Sequence, residues 1–391
     1  MKSLKLYNPS VFSARDFWSL TGRSVNFTAG DCLKGFSSAK ICDEFDGDDL
    51  FYAKFDGGFI RVLLSGEIFV SSIGATNCFL SVNCLNYAFT LIKKYSNNCG
   101  FYISDGTSAF IFDADCNEIK SFSITSDFAV FYKARLVLIK NRQIVVFSPM
   151  LLVEDSFVLS PNFDCEKAVF ACVFLDAIFI VFKKGIVKVS ENIDKEFSIT
   201  RVIDTIDVTD GTVSFSGNSI NFIADGMFNS FKGNSIVTHS LPDEFIPYLI
   251  DGGFDFKSVS SLDDYALFIY DNGEFLTAIS IKNSKEVSYL KRPYYAFFDT
   301  VYLNKKQEVK FEWESVYTHF NKSNIKSLKK IKCDTTTPCV LTVFSRKSAK
   351  NYTLSAGENL LKVDLKGDEF KVKIVSFDLN TVVSKLEFIY S

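Results

Sequence analysis

Six times along this chain an apolar strand runs into a tight turn built on Gly or Asn and returns as a second apolar strand. The copies occupy 58–70, 100–112, 135–147, 177–189, 220–228 and 266–276, with turns at 66, 106, 141, 185, 226 and 273. The first and last turns lie 207 residues apart, a mean step of about 41. A hairpin alone cannot bury its own faces, so copies at such spacing must stack. Steps of roughly 40–45 residues are those of β-propeller blades.

A blade needs four strands and the hairpin supplies two. Segments 89–92, 128–132 and 168–174 are candidates for a third. The short run Val25-Asn26-Phe27-Thr28 is expected to close the ring by joining the last blade, which would remove exposed sheet edges. No Trp-Asp or Gly-His signature marks the repeats, so this is not a WD40 array. Five to seven blades fit, with six as the central expectation. A β-sandwich or solenoid with coincidental hairpin spacing is the competing reading.

The rest of the chain agrees with an all-β fold. Of 391 residues, 47% are hydrophobic and 42 are Phe, ample for a packed core of strand-favouring side chains. No long stretch shows a helical period. Residues 1–24 read as a polar arm with Trp18 as an anchor, and 25–292 as the propeller. Residues 293–391 read as a small antiparallel β-sandwich-like domain. There the alternation is clean: Leu361, Val363, Leu365, then Phe370, Val372, Ile374, then Leu386, Phe388, Tyr390. Lys366-Gly367-Asp368 fits a hairpin turn between two of these strands.

Charge and cysteine usage narrow the function. A net charge of −3 disfavours general nucleic-acid binding, although a slightly acidic wall suits DNA that must pass without sticking. The ten cysteines form no CxxC pair and several sit in apolar runs, the pattern of free buried thiols in a reducing cytosol. Cys333 and Cys339 are placed to bridge a loop, though nothing requires it. The N-terminus has no apolar signal core, and no run is long enough to span a bilayer. The expectation is a soluble protein without a membrane partner or a standard export signal.

Candidate chemistry is sparse. Of the two histidines, His239 is separated from Asp243 by Pro242 and His319 has no Cys, Asp or second His close by, so neither is expected to serve as a catalytic base. The acidic run from Asp43 to Asp49 misses calcium-loop spacing because Phe45 falls on a ligand position; an exposed acidic loop is expected. No catalytic residue, metal ligand or cofactor is assigned, while carboxylate pairs of the glycosidase kind cannot be matched up from sequence. The lysines 322, 326, 329, 330 and 332 read as a solvated strand face, or as a contact for nucleic acid or an acidic partner. Trp313 reads as core. Three Asn-X-Ser/Thr triplets, beginning at Asn26, Asn321 and Asn351, are chance matches without a secretion signal.

One strand pattern, Phe311-Glu312-Trp313-Glu314-Ser315, is followed by the basic strand 326–333 and by a late strand pair at 370–376 and 383–388. In this order, behind a degenerate propeller, the chain resembles the phage tail-hub or nozzle proteins, also called packaged-DNA stabilisation proteins. The resemblance covers roughly 50–391, and the chain departs from it in its compact propeller and its wealth of Phe. It implies a non-enzymatic virion protein of the tail, assembled in the host cytoplasm, that lines or closes the DNA exit channel as a hub, nozzle or connector. It also implies a ring, often sixfold, with other tail, adaptor or portal proteins as partners and passive contact with packaged DNA. Its ring contacts would involve Trp313, Glu314, Ser315, Lys326, Lys329 and Lys330. Two other classes stay open: a glycan-binding or glycan-cleaving propeller, and a cytosolic scaffold propeller that binds peptides on one face.

Overall fold

The computed structural model describes residues 10–12, 21–29, 32–36, 39–41, 49–55, 58–63, 67–72, 75–81, 88–93, 99–104, 108–112, 118–122, 125–147, 157–193, 196–216, 218–240, 257–258, 265–269, 276–280, 287–290, 294–297, 300–306, 308–318 and 326–390. Their regular structure is entirely β. The chain forms two compact units: one of residues 44–261 with 296–300, the other of 1–43, 262–295 and 301–391. The fold is a β-propeller followed by an antiparallel β-sandwich.

Among the described residues, the first unit holds five four-stranded antiparallel meanders in chain order. Their strands are Asp49–Phe55, Gly58–Leu63, Glu67–Ser72 and Ala75–Ser81; Ala88–Lys93, Cys99–Ser104, Ala109–Phe112 and Glu118–Phe122; Phe128–Tyr132, Arg135–Lys140, Gln143–Val146 and Phe157–Leu159; Ala168–Phe174, Ala177–Phe182, Gly185–Glu191 and Phe197–Ile203; and Ser214–Phe215, Ile220–Ala224, Met227–Phe231 and Ile236–His239. The recurring hairpin is the second and third strand of each sheet. The segments expected as third strands open the second, third and fourth sheets.

The second strand explains why the repeat is so apolar. Ala177–Phe182 is buried at every position. Ile178, Ile180 and Phe182 pack into the preceding sheet with Val137, Ile139 and Ile144. Ala177, Phe179 and Val181 pack into the following sheet with Val213, Ile220 and Phe222. One sheet earlier, Leu136 and Leu138 face backward, onto Tyr102 and Ile111, while Val137 and Ile139 face forward. A strand covered on both faces loses its polar alternate positions and becomes a continuous apolar run. Buried thiols fill some of this space. Desolvation pushes Cys172, and Cys333 in the other unit, up to about 12, so both stay protonated.

Two-residue turns with both residues at positive φ join several strands: Lys133-Ala134 (46° and 60°), Leu175-Asp176 (48° and 53°) and Asp225-Gly226 (51° and 70°). This geometry matches the right-handed twist of a hairpin, and only the third of these turns carries the residues that favour it. Gly185, at φ +119°, closes another turn, and a Cβ there would meet the Ile203 carbonyl oxygen at 2.6 Å.

The second unit contains the last repeat as the meander Tyr265–Ile269, Leu276–Ser280 and Val287–Leu290. The N-terminal strand Thr21–Val25 lies beside it, Val25 pairing parallel with Tyr289, and pairs antiparallel with Phe311–Ser315 on its other side. Thus residues 1–24, expected as an arm, contribute strands to this unit; Ser10–Phe12 also pairs with Val382–Tyr390. The expected ring-closing run behaves differently from the expectation, since only Val25 joins the meander. At Asn26 the chain turns through φ 60°, its Nδ2 donating to the Lys310 carbonyl at 2.9 Å, while the Ser24 hydroxyl donates to the Phe27 carbonyl at 2.6 Å. Phe27–Ala29 then pairs with Leu33–Gly35 in the other layer. Asn tolerates the left-handed conformation that this corner demands.

The sandwich has one layer in the order Thr21–Val25, Phe311–Ser315, Phe370–Ser376, Cys339–Ser345, Ala349–Leu354, and another in the order Phe27–Ala29, Leu33–Gly35, Val382–Tyr390, Lys326–Thr335, Gly357–Gly367. The Phe27 and Phe311 rings, one from each layer, meet at 5.0 Å.

The two turn glycines separate steric from conformational cost. Gly185→Ala drives a methyl into backbone and is expected to lose about 3 kcal/mol. Gly226→Ala meets nothing within 4 Å and is expected to lose only about 1 kcal/mol for its φ of +70°. Urea unfolding of both variants checks the order; equal losses would mean that the turn at 185 yields freely.

Candidate interaction surfaces

The residues singled out in sequence fall on both layers of the sandwich. Trp313 is fully buried, and Ser315 is enclosed as well, its hydroxyl accepting the Val372 N–H at 3.0 Å and donating to the Val316 carbonyl at 2.9 Å. These two side chains build the layer and present no surface. Glu314 points the other way and ion-pairs with Lys371, with Lys373 at 4.0 Å. Lys329 and Lys330 belong to the second layer. The pairing of Lys326–Thr335 slips between Leu328 and Lys330 against both neighbouring strands, which leaves both lysines exposed. Lys329 lies 3.8 Å from Asp364, and Lys332 lies 3.3 Å from Glu358. The backbone of Lys326 pairs with Gly367; its side chain, like His319, Lys322, Trp18 and the acidic run 43–48, lies outside the described residues. His239 closes the strand Ile236–His239 with its ring 6.1 Å from Phe228.

Sequence alone gave no hint of the weight carried by Glu312. Its side chain is buried on the outer face of the first layer, between Lys310 and Lys373, each at 2.9 Å. Burial disfavours its charge, but the Lys373 and Lys310 ammoniums more than offset that and hold its carboxyl below the ordinary glutamate value. Nearby, Arg346 stacks over the Tyr317 ring at 4.3 Å and binds Glu369 at 2.5 Å, and Lys371 also approaches Tyr317 at 5.6 Å. The face is thus a lattice of cross-strand ion pairs.

A second charged surface runs across the blades. In an up-and-down meander, the turn between strands two and three shares an end with the segment leading to the next sheet. Hydrogen bonds tie the two together: Ala168 N–H to the Asn141 carbonyl and Val208 N–H to the Lys183 carbonyl, both at 2.9 Å. The side chains follow the same plan. Arg142 donates to the Phe163 carbonyl at 2.5 Å and the Pro161 carbonyl at 3.3 Å. Lys183 donates to the Val208 carbonyl at 2.6 Å and pairs with Asp207 at 3.2 Å and Asp210 at 3.8 Å. Lys167 meets Asp210, and Lys184 meets Glu166, each at 2.5 Å. The result is a rim of alternating charge on one end of successive blades, its lysines 167 and 184 at least half exposed. These residues are far apart in sequence and carry no motif; only the 42-residue step between Asn141 and Lys183 hints at their shared position.

No family model and no curated protein matches the chain. The solved structures similar to it include propeller proteins. PorZ of Porphyromonas gingivalis, an essential surface component of the type-IX secretion system, aligns with TM-score 0.43 and 12% identity over 85% of this chain. The chain spans 45% of the length of that protein. Hsv2 of Kluyveromyces lactis aligns with TM-score 0.40 and 10% identity over 66% of this chain and 90% of its own. The WD40 domain of Neurospora crassa Pan2 gives 0.30 and 10%, over 69% and 79%. Likenesses at this level carry no argument about function. Among the described residues, no helix is long and apolar enough to cross a membrane.

The Glu312 network predicts an acid response. A carboxyl held low in the fold contributes stability above its unfolded value near about 4.3, and this is lost as pH falls through the lower folded value. Glu312→Gln is expected to cost about 1 kcal/mol at neutral pH and to flatten the loss of thermal midpoint between about pH 5 and 3. An unchanged acid slope would remove Glu312 from the account.

Proposed function

We propose that this protein is a non-catalytic interaction scaffold whose propeller holds a protein partner on the charged end of its blades. The observation that carries the reading is the rim itself. Arg142, Glu166, Lys167, Lys184 and Asp210 stand on backbone that is hydrogen-bonded from sheet to sheet, so their spacing is fixed before any partner arrives. Fixed charges of alternating sign favour a partner segment with the complementary sequence of charges, and they exclude others by like-charge contact. Nucleic acid is a poor fit, because each rim lysine named here already faces a carboxylate and few phosphates could be neutralised.

The test is co-purification of the tagged full chain from its native cells, wild type against the triple reversal Arg142→Glu, Lys167→Glu, Lys184→Glu, with Lys133→Glu at the opposite blade end as control. Partners held by the rim are expected with wild type and the control, and depleted at least tenfold with the triple variant. Identical partner sets would refute the rim. A closed ring of several copies that seats on portal or adaptor proteins is the outcome the virion-tail reading expects, and it would displace the scaffold reading.

A further inference from the structure

The strand Gly357–Gly367 ends its layer: among the described residues it pairs on one side only, with Lys326–Thr335. A terminal strand offers unpaired N–H and C=O groups to any chain able to add to it. Here much of that row is closed. Towards its C-terminal end the register slips opposite Leu328 and Lys330, and Asp364 sits at φ 47°. Lys350 Nζ donates to the Val363 carbonyl at 2.6 Å and the Asp364 carbonyl at 3.3 Å, and the Tyr352 hydroxyl lies 3.4 Å from the Val363 carbonyl. At the other end, Asn359 Nδ2 takes the Gly357 carbonyl at 2.9 Å. A bulge and a lysine are common devices for blunting an edge.

The stretch left open is Glu358 to Lys362. On its outer face it carries Glu358, Leu360 and Lys362, all exposed, and Leu360 keeps 63% of its surface in solvent. Leu360 is thus an apolar centre flanked by charge, a pattern that an added strand of the same pattern would cover. The stretch is also its own complement: Glu358 and Lys362 are equally far from Leu360, on opposite sides, with opposite charge.

We infer that a second copy of this chain adds here, its own Glu358 to Lys362 stretch running antiparallel about a twofold axis at Leu360. In that register Leu360 faces Leu360, and Glu358 of each copy faces Lys362 of the other. An isologous contact of this kind closes on itself and stops at two. Lys362 stands opposite Lys330 within its own layer and has Asp364 at 3.7 Å, so the incoming carboxylate is a second countercharge, supplied on the open side. Centring the axis on Lys362 instead would set lysine against lysine, which charge pairing across strands disfavours. The inference is independent of the blade-end reading.

The contact is small, so sedimentation velocity on the full chain should run from about 1 μM to about 500 μM. A monomer–dimer equilibrium is expected. Glu358→Lys and Lys362→Glu each oppose like charges twice and should raise the dissociation constant at least tenfold, as should Leu360→Lys. The double reversal Glu358→Lys with Lys362→Glu should bring the dimer back. Thermal midpoints of all variants confirm that each is folded. A chain that stays monomeric throughout, that associates equally in every variant, or that the double reversal fails to restore overturns the inference. So does recovery of this edge occupied only by a strand of a different protein.

Discussion

The propeller depends on the burial of its second strands from both sides. Arg135–Lys140 and Ala177–Phe182 each send alternate side chains into the sheet before and the sheet after, so neither sheet owns its core. Leu136, Ile178 and Ile220 stand 42 residues apart and do the same work, each facing the sheet that precedes it. A single meander could not be stable alone, because half of its apolar surface would face water. Where a polar residue enters this strand it is satisfied locally. Asn221 is fully buried, and its Oδ1 accepts from the Ser219 hydroxyl at 3.0 Å and the Ser230 hydroxyl at 2.8 Å.

That stacking also fixes the surface. Because sheets meet through their second strands, the turns leaving those strands come to one end in a regular series. The backbone bonds from Asn141 to Ala168 and from Lys183 to Val208 repeat the coupling from one sheet to the next. A charged rim therefore needs no local motif. It is assembled by the repeat, with the variable turn residues as its chemistry.

This division explains what the sequence disclosed. The two-sided burial of strands such as Ala177–Phe182 writes a run of apolar residues between turn residues, and that run marked six repeats. The fourth strands wrote nothing comparable: Phe197–Ile203 alternates between partly and largely exposed positions, and Phe157–Leu159 has only three residues. The Lys133-Ala134 and Leu175-Asp176 turns were silent because neither pair carries the Gly or Asn that such turns favour. The N-terminal strands were hidden for another reason. Thr21–Val25 owes its place to Phe311–Ser315, almost three hundred residues away, and no local pattern encodes such a pairing. Glu312 stayed hidden likewise, since a charged residue between Phe311 and Trp313 reads as the solvent face of a strand, and only the facing lysines show that it is enclosed.

The lysine run shows most clearly how linear charge misleads. Read in sequence, lysines 322 to 332 leave a contact for nucleic acid or an acidic partner open beside a plain solvated strand face. In the fold the strand lies beside Gly357–Gly367, whose Glu358 and Asp364 come to Lys332 and Lys329. On the other layer Lys371 and Lys373 are likewise answered by Glu312 and Glu314. With carboxylates at this range, the counterion release that drives phosphate binding has little to work with. The same pairing does favour protein partners. A surface of short-range alternating charge has almost no field at a distance but strong preferences on contact. Such a surface selects among proteins by register. These paired lysines therefore suit the proposed protein-binding role better than the gripping of a polyanion.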